Sequence, residues 1–130
     1  MDLATQLIES DAEIDDREVE LEEECLKVMA LHQPVAIDLR LIISVLKINV
    51  DLERIGDLAV DIAGRGKYLA THEDIEHPFD FLGMAQKAQN MLKKSLDAMV
   101  ELDINMATEV CAVDDAVDDI HSDMYTKIEE

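Results

Sequence analysis

From Leu3 to His32 the apolar residues Leu7, Ile14, Leu21 and Val28 recur every seven positions, and Leu3, Ile8, Cys25, Met29 and Leu31 widen the stripe. That period predicts an amphipathic helix. Beside the stripe, Asp11, Asp15, Glu18 and Glu22 fall within about 60° of one another on the helical wheel, an acidic line next to an apolar seam. Gln33-Pro34 ends this helix, because the residue before proline is pushed out of the α region and proline suits the first turn of the next helix. A second helix is predicted from about Pro34 to Leu69. Its seam, Leu41, Val45, Ile48, Leu52, Ile55, Ala59 and Ile62, advances by alternating steps of four and three. Gly64, Arg65, Gly66 and Lys67 mark its C-terminal end, where the basic residues complement the helix dipole.

Residues 70–79 lack any period and read as a linker, with His72, His77 and Pro78 in it. A third helix follows up to about Asp103, with Ala85, Ala88, Leu92, Ser95, Met99 and Leu102 as its buried face and Lys87, Lys93 and Lys94 outside. A fourth helix is predicted from residue 104 to the chain end, its seam being Met106, Val110, Val113, Val117, Ile120 and Met124. Sliding the sequence on itself by 103 positions reveals an internal repeat. Leu7 falls on Val110, Asp11 on Asp114, Ile14 on Val117, Asp15 on Asp118 and Glu18 on His121. The acidic line is therefore repeated as Asp114, Asp118 and His121.

Composition agrees with an all-α bundle of long antiparallel helices. The residues are 48% hydrophobic but only 3% aromatic, so the core must be built from Leu, Ile, Val, Ala and seven Met. The formal charge of −20 excludes direct binding to nucleic acid or to an anionic membrane surface as a plausible function. It points to cations or basic protein surfaces as partners. No stretch is long and apolar enough to span a bilayer, and the acidic start is unlike a secretory signal, so a cytoplasmic protein without membrane insertion is expected. Cys25 and Cys111 stand alone without a C-x-x-C pair and read as reduced structural thiols.

The candidate chemistry lies in the second helix, in the run Asp51-Leu52-Glu53-Arg54-Ile55-Gly56-Asp57. Glu53 and Asp57 are one turn apart, about 130–170° from the middle of the apolar seam. Like charges at that spacing repel by a few tenths of a kcal/mol, and a divalent metal would reverse the sign. Gly56 costs the helix roughly 0.8–1 kcal/mol relative to alanine and invites a close approach. Taken alone, Glu53, Asp57 and Asp61 read as a solvated outer face, since surface helices carry such stripes. Asp114, Asp118 and His121 read the same way, because acid is dense throughout that helix; Asp118-x-x-His121 is the one hint of the carboxylate-plus-histidine spacing of di-metal bundles. Arg40 and Arg54 read as local ion pairs or as a docking surface.

The run L-E-R-I-G-D at 52–57, after Gln33-Pro34 and Asp38-Leu39-Arg40 and before Asp61-Ile62-Ala63, resembles the signature of the PhoU family of phosphate-signalling and phosphate-transport accessory proteins. The family's plan is two repeats of three helices. The resemblance implies that residues 1–69 are helices two and three of the first repeat and 80–130 helices one and two of the second, with 70–79 as linker. Two helices of that plan have no counterpart, so the chain is expected to be a fragment. The resemblance further implies a surface cluster of metal ions held by paired E/D-x-x-x-D motifs, matched here by Asp11-x-x-x-Asp15 and Glu53-x-x-x-Asp57; Glu18 and Asp61 beside them, and Asp114, Asp118 and His121 of the repeated line, are the further candidate metal ligands. Iron or zinc is expected there, with magnesium or manganese as the alternatives for an all-oxygen site. The implied function is non-enzymatic. It is regulation of phosphate uptake and phosphate-starvation signalling, by a homodimer that contacts a phosphate ABC transporter ATPase and a phosphate-responsive sensor histidine kinase, with Arg40 and Arg54 at the contact.

Three rival readings stand beside it. An accessory domain of a sodium–phosphate carrier would carry the same residues. A di-metal oxidase or ferroxidase would want inward-facing glutamates and Glu-x-x-His pairs on two helices, which the sequence lacks. A purely structural acidic bundle would bind no ligand at all.

Overall fold

A computed structural model of the chain describes residues 2–72 and 79–129. They form four helices, α1 (Leu3–His32), α2 (Ala36–Leu69), α3 (Phe81–Glu101) and α4 (Ile104–Glu129). The all-α class and the helix positions follow the apolar periods closely. The chain divides into two units, Met1–Ile75 and Glu76–Glu130, each a hairpin of two packed helices. The part of the expected linker that holds His77 and Pro78 lies outside the described residues.

In the first hairpin α1 stops where Gln33 turns left-handed (φ 46°) and its N–H reaches back to the Met29 carbonyl at 3.1 Å. Pro34 and the extended Val35 then re-aim the chain, and α2 begins at Ala36. Proline thus stands two residues ahead of the helix rather than in its first turn. At the far end, Lys67 Nζ donates to Thr5 Oγ1 at 3.0 Å and ties the last turn of α2 to the first of α1.

The line along which α1 meets α2 is not the one the apolar seam predicts. Among the described residues of this hairpin only Asn49 and Gly56 are buried, whereas Leu41 and Ile55 are each 43% exposed and Ile62 is 72% exposed. On the wheel the contact is rotated by about 70° from the middle of the apolar stripe. The reason is steric. Helices approach most closely where side chains are smallest, and a Cβ built on Gly56 would stand only 3.0 Å from Ile14 Cδ1. Asn49, two turns earlier on the same line, donates from Nδ2 to the Glu18 carbonyl at 2.8 Å, which fixes the register of the pair.

The second hairpin turns through Leu102, left-handed at φ 54°, and Asp103, whose Oδ1 accepts from the backbone N–H groups of Asn105 and Met106 to cap α4. Asp80 caps α3 in the same way by accepting from Gly83 N–H. Ala98 is buried and Met84, Met91, Leu92, Leu96 and Met99 are half-buried, while Ala85, Ala88, Ser95 and Leu102 of the expected α3 face are exposed. On α4 the expected seam is half-buried at Met106, Val110, Val117, Ile120 and Met124, and Val113 lies at its exposed edge. One interhelical ion pair, Lys94–Glu109 at 3.9 Å, is present among the described residues of this hairpin.

The tight crossing makes a prediction. Gly56→Leu has no room against Ile14 and is expected to lower stability by about 1–3 kcal/mol in urea unfolding followed by circular dichroism. Gly56→Ala, which only asks a terminal methyl to move while gaining helix propensity, is expected to stay within about 1 kcal/mol of the parent. Equal effects of the two variants would show that the contact is not the constraint.

Candidate functional site: a carboxylate cluster across two helices

The close crossing at Gly56 determines what stands on either side of it. Going round α2 from Gly56, Glu53 lies about 60° and Asp57 about 100° to one side, while Ile55 lies about 100° to the other. The carboxylates are therefore far from the apolar stripe yet beside the α1 contact, and Glu53 is half-buried there. On α1 the residues facing them are Asp11, whose Oδ1 would lie 3.6 Å from a Cβ on Gly56, and Glu18, both half-buried, with the exposed Asp15 between them. A groove of about 450 Å³ runs alongside, between Ser10, Ile14, Arg17 and Glu18 of α1 and Asn49, Leu52 and Glu53 of α2.

The electrostatics show that these groups sense one another. Asp11 is held above its ordinary carboxylate value, first by partial desolvation and then by the charges of Asp15 and Asp57. Glu53 is raised likewise, first by desolvation, then by the charges of Asp57, Glu18 and Asp15 and by a carboxyl–carboxyl hydrogen bond with Asp57. Two helices thus contribute Asp11, Asp15 and Glu18 on one side and Glu53 and Asp57 on the other. None of the five forms an ion pair among the described residues; the two bases of α1 serve Glu20 (Arg17, 2.8 Å) and Glu24 (Lys27, 3.0 Å) instead.

The donor chemistry, carboxylate oxygen throughout, is of the kind that suits a hard or borderline cation, whose charge would relieve the repulsion. Among the described residues no three His, Cys, Asp or Glu side chains are disposed at ligating distance around a common point. Asp61, a further turn along α2, is exposed and lies about 140° round from Gly56, on the outer side of the group.

The repeated line on α4 has no such setting. Asp114, Asp118 and His121 are exposed, and the His121 ring packs edge-on against Tyr125 at 5.0 Å. The acidic residues of the partnering helix, Asp97 and Glu101, lie at its other end near the turn, with Asp97 4.0 Å from Lys93. Arg40 and Arg54 are exposed on the side of α2 away from α1. Asn49 is the one residue of the site that periodicity did not single out. Its signal was present in the spacing, a polar residue seven before Gly56, flanked by Ile48 and Val50.

Comparison with known proteins places this geometry in context. The PhoU domain family matches residues 1–65 and 81–130. The chain is 41% identical to a phosphate-specific transport system accessory protein PhoU homolog of Clostridium acetobutylicum, over 97% of this chain and 58% of that protein. Homologs of the same description from Deinococcus radiodurans and Aquifex aeolicus are 33% and 35% identical over 98% of the chain and 60% and 58% of their own lengths. The chain thus spans about three-fifths of the length of these relatives.

The raised carboxylates carry a sign. A carboxyl group raised in the folded state binds protons more readily folded than unfolded, so it costs stability at neutral pH, and the cost disappears as pH falls through the raised value. Metal-free protein is expected to become more stable on acidification from neutral pH towards the ordinary carboxylate range. Glu53→Gln is expected to raise the neutral-pH melting temperature and flatten that dependence, as read by thermal circular dichroism in EDTA. A variant less stable than the parent at neutral pH would contradict the repulsion. With its four helices, its L-E-R-I-G-D run and a family match over nearly its whole length, the chain belongs to the PhoU family.

Proposed function

We propose that the chain is part of a PhoU-type regulator of phosphate uptake and phosphate-starvation signalling, acting in the cytoplasm by protein–protein contact rather than by catalysis. On this reading a homodimer meets a phosphate transporter ATPase and a phosphate-responsive sensor kinase, with Arg40 and Arg54 on the contacting surface. The observation that carries it is the pairing of Asp11, Asp15 and Glu18 with Glu53 and Asp57 across the Gly56 crossing, in a chain whose relatives are named accessory proteins of phosphate-specific transport. No helix among the described residues is long and apolar enough to cross a membrane, which leaves contact with a transporter to surface residues.

These five carboxylates would hold metal ions, iron or zinc before magnesium or manganese, after side-chain rotations that leave the backbone in place. Bound metal would supply fixed positive charge, offsetting the repulsion and locking α1 to α2; its role is structural and electrostatic. Asp61 would join from the outer edge. Asp114, Asp118 and His121 would need carboxylates from a further helix to complete a second cluster. A di-metal oxidase is disfavoured, because this cluster lies on a surface edge with no Glu-x-x-His pair.

Elemental analysis of protein purified without a metal-affinity column is expected to give stoichiometric metal in the parent and none in Glu53→Ala/Asp57→Ala. Metal-free parent would remove the cluster from the reading. Binding to the purified transporter ATPase or sensor kinase, measured by interferometry, is expected to weaken in Arg40→Ala/Arg54→Ala; failure of the parent to bind either would count against the regulatory reading itself.

A further inference from the structure

The second hairpin is built with a side chain that the first hardly uses. Met84, Met91 and Met99 of α3 and Met106 and Met124 of α4 are all half-buried, and they are five of the chain's seven methionines. Met84, Met91 and Ala98 follow one another every seven residues, so two thioethers share a line with the buried residue of α3. On α4, Met106 and Met124 stand at the two ends of the seam that Val110, Val117 and Ile120 fill. In α1 and α2 Met29 is the single methionine, and the crossing there rests on Gly56, Ile14 and the Asn49 hydrogen bond.

Four of these thioethers line grooves open to solvent. Met84 and Met124, one from each helix, share a groove of about 240 Å³ with Phe79 and Ile120. Met91 lines one of about 140 Å³ with Val110 and Val113, and Met99 one of about 420 Å³ with Leu102 and Ile104. A small peroxide can enter each. A thioether is apolar and suits such a seam, whereas a sulfoxide carries an S=O dipole that would give up its hydrogen bonds to water there. The donors at the groove rims, Lys87, Asn90, Lys94 and Lys127, are exposed, so a sulfoxide that swings out to meet them leaves the facing helix. Polar ties between α3 and α4 are weak, the Lys94–Glu109 ion pair being exposed and 3.9 Å long, while the first hairpin is held in addition by the Asn49 and Lys67 hydrogen bonds.

We propose that the α3–α4 seam is a site of reversible methionine oxidation, at which a peroxide opens the second hairpin and leaves the first folded. The thioether sulfur attacks one oxygen of hydrogen peroxide and the O–O bond breaks. The transferred oxygen passes its proton to the departing one, which leaves as water, so sulfur is oxidised by two electrons and the peroxide reduced by two. A thiol-driven sulfoxide reductase returns the oxygen as water while its thiols pair into a disulfide. The proposal goes beyond the regulatory reading and uses none of its metal-binding or contact residues.

Hydrogen peroxide treatment of the full chain, followed by circular dichroism and peptide mass spectrometry, tests it. Oxygen is expected on all five methionines, with loss of up to about two-fifths of the helix signal, the share of the 21 and 26 residues of α3 and α4 beside the 30 and 34 of α1 and α2. Reductases for both sulfoxide epimers should restore the signal, and dithiothreitol alone should not. The variant Met84→Leu/Met91→Leu/Met99→Leu/Met106→Leu/Met124→Leu, which keeps volume and helix propensity, should hold its helix signal in peroxide. Oxidation of the five with the signal unchanged, oxygen confined to Met1 and Met29, or an equal loss in the leucine variant would overturn the proposal. Recovery with dithiothreitol alone would overturn it too, because that reagent reverses cysteine oxidation and would point to Cys25 and Cys111. If the leucine variant does not fold before peroxide is added, the reductase arm decides: a lost signal that the reductases fail to restore counts against the site.

Discussion

The closest approach of two helices is set by the smallest side chains between them, and in the first hairpin that place is Gly56. With no Cβ on α2 at this level, Ile14 of α1 rests against the helix backbone, and Asp11 comes in beside it. Two turns away, Asn49 holds the Glu18 carbonyl, so that the helices cannot slide by a turn without losing a buried hydrogen bond. The register of the hairpin, and with it the level at which each acidic residue stands, follows from these two residues. Glu53 and Asp57 flank the crossing on α2, and Asp11, Asp15 and Glu18 flank it on α1.

That geometry works against electrostatics. Five carboxylates gather at one edge of a contact, none of them in an ion pair among the described residues, and two of them are held above their ordinary values by desolvation and by the neighbouring carboxylates. Apolar contact and a backbone-directed hydrogen bond hold the helices together there, not ion pairing. The second hairpin supplies a control within the same chain. Its α4 carries a similar acidic line, aligned to the first by the internal repeat, but α3 brings lysines and methionines to the interface and keeps its own acids near the turn. Similar residues on one helix thus give a cluster in one hairpin and a solvated face in the other.

Each hairpin leaves much of its apolar surface uncovered, and the cause is geometric. A helix whose apolar arc is wide enough for two neighbours can turn only part of it towards one. On α2 the small-residue line takes α1, and Leu41, Ile55 and Ile62 remain open beside it. The relatives are longer than this chain, and the match covers only about three-fifths of their length.

The sequence by itself determined the secondary structure. Apolar periods placed all four helices, because amphipathic spacing is a local property, and the L-E-R-I-G-D run with its neighbours sufficed to identify the family. It also marked Gly56 as a point of close approach and Glu53, Asp57, Asp11 and Asp15 as a set. It did not determine which part of each apolar arc a neighbour would occupy. The wheel measured Glu53 from the middle of the hydrophobic stripe and set it on the outside; packing measured it from Gly56 and set it at the interface. Only the tertiary structure decided between the two, because hydrophobicity says which residues avoid water, whereas the steric size of side chains says where two helices can meet.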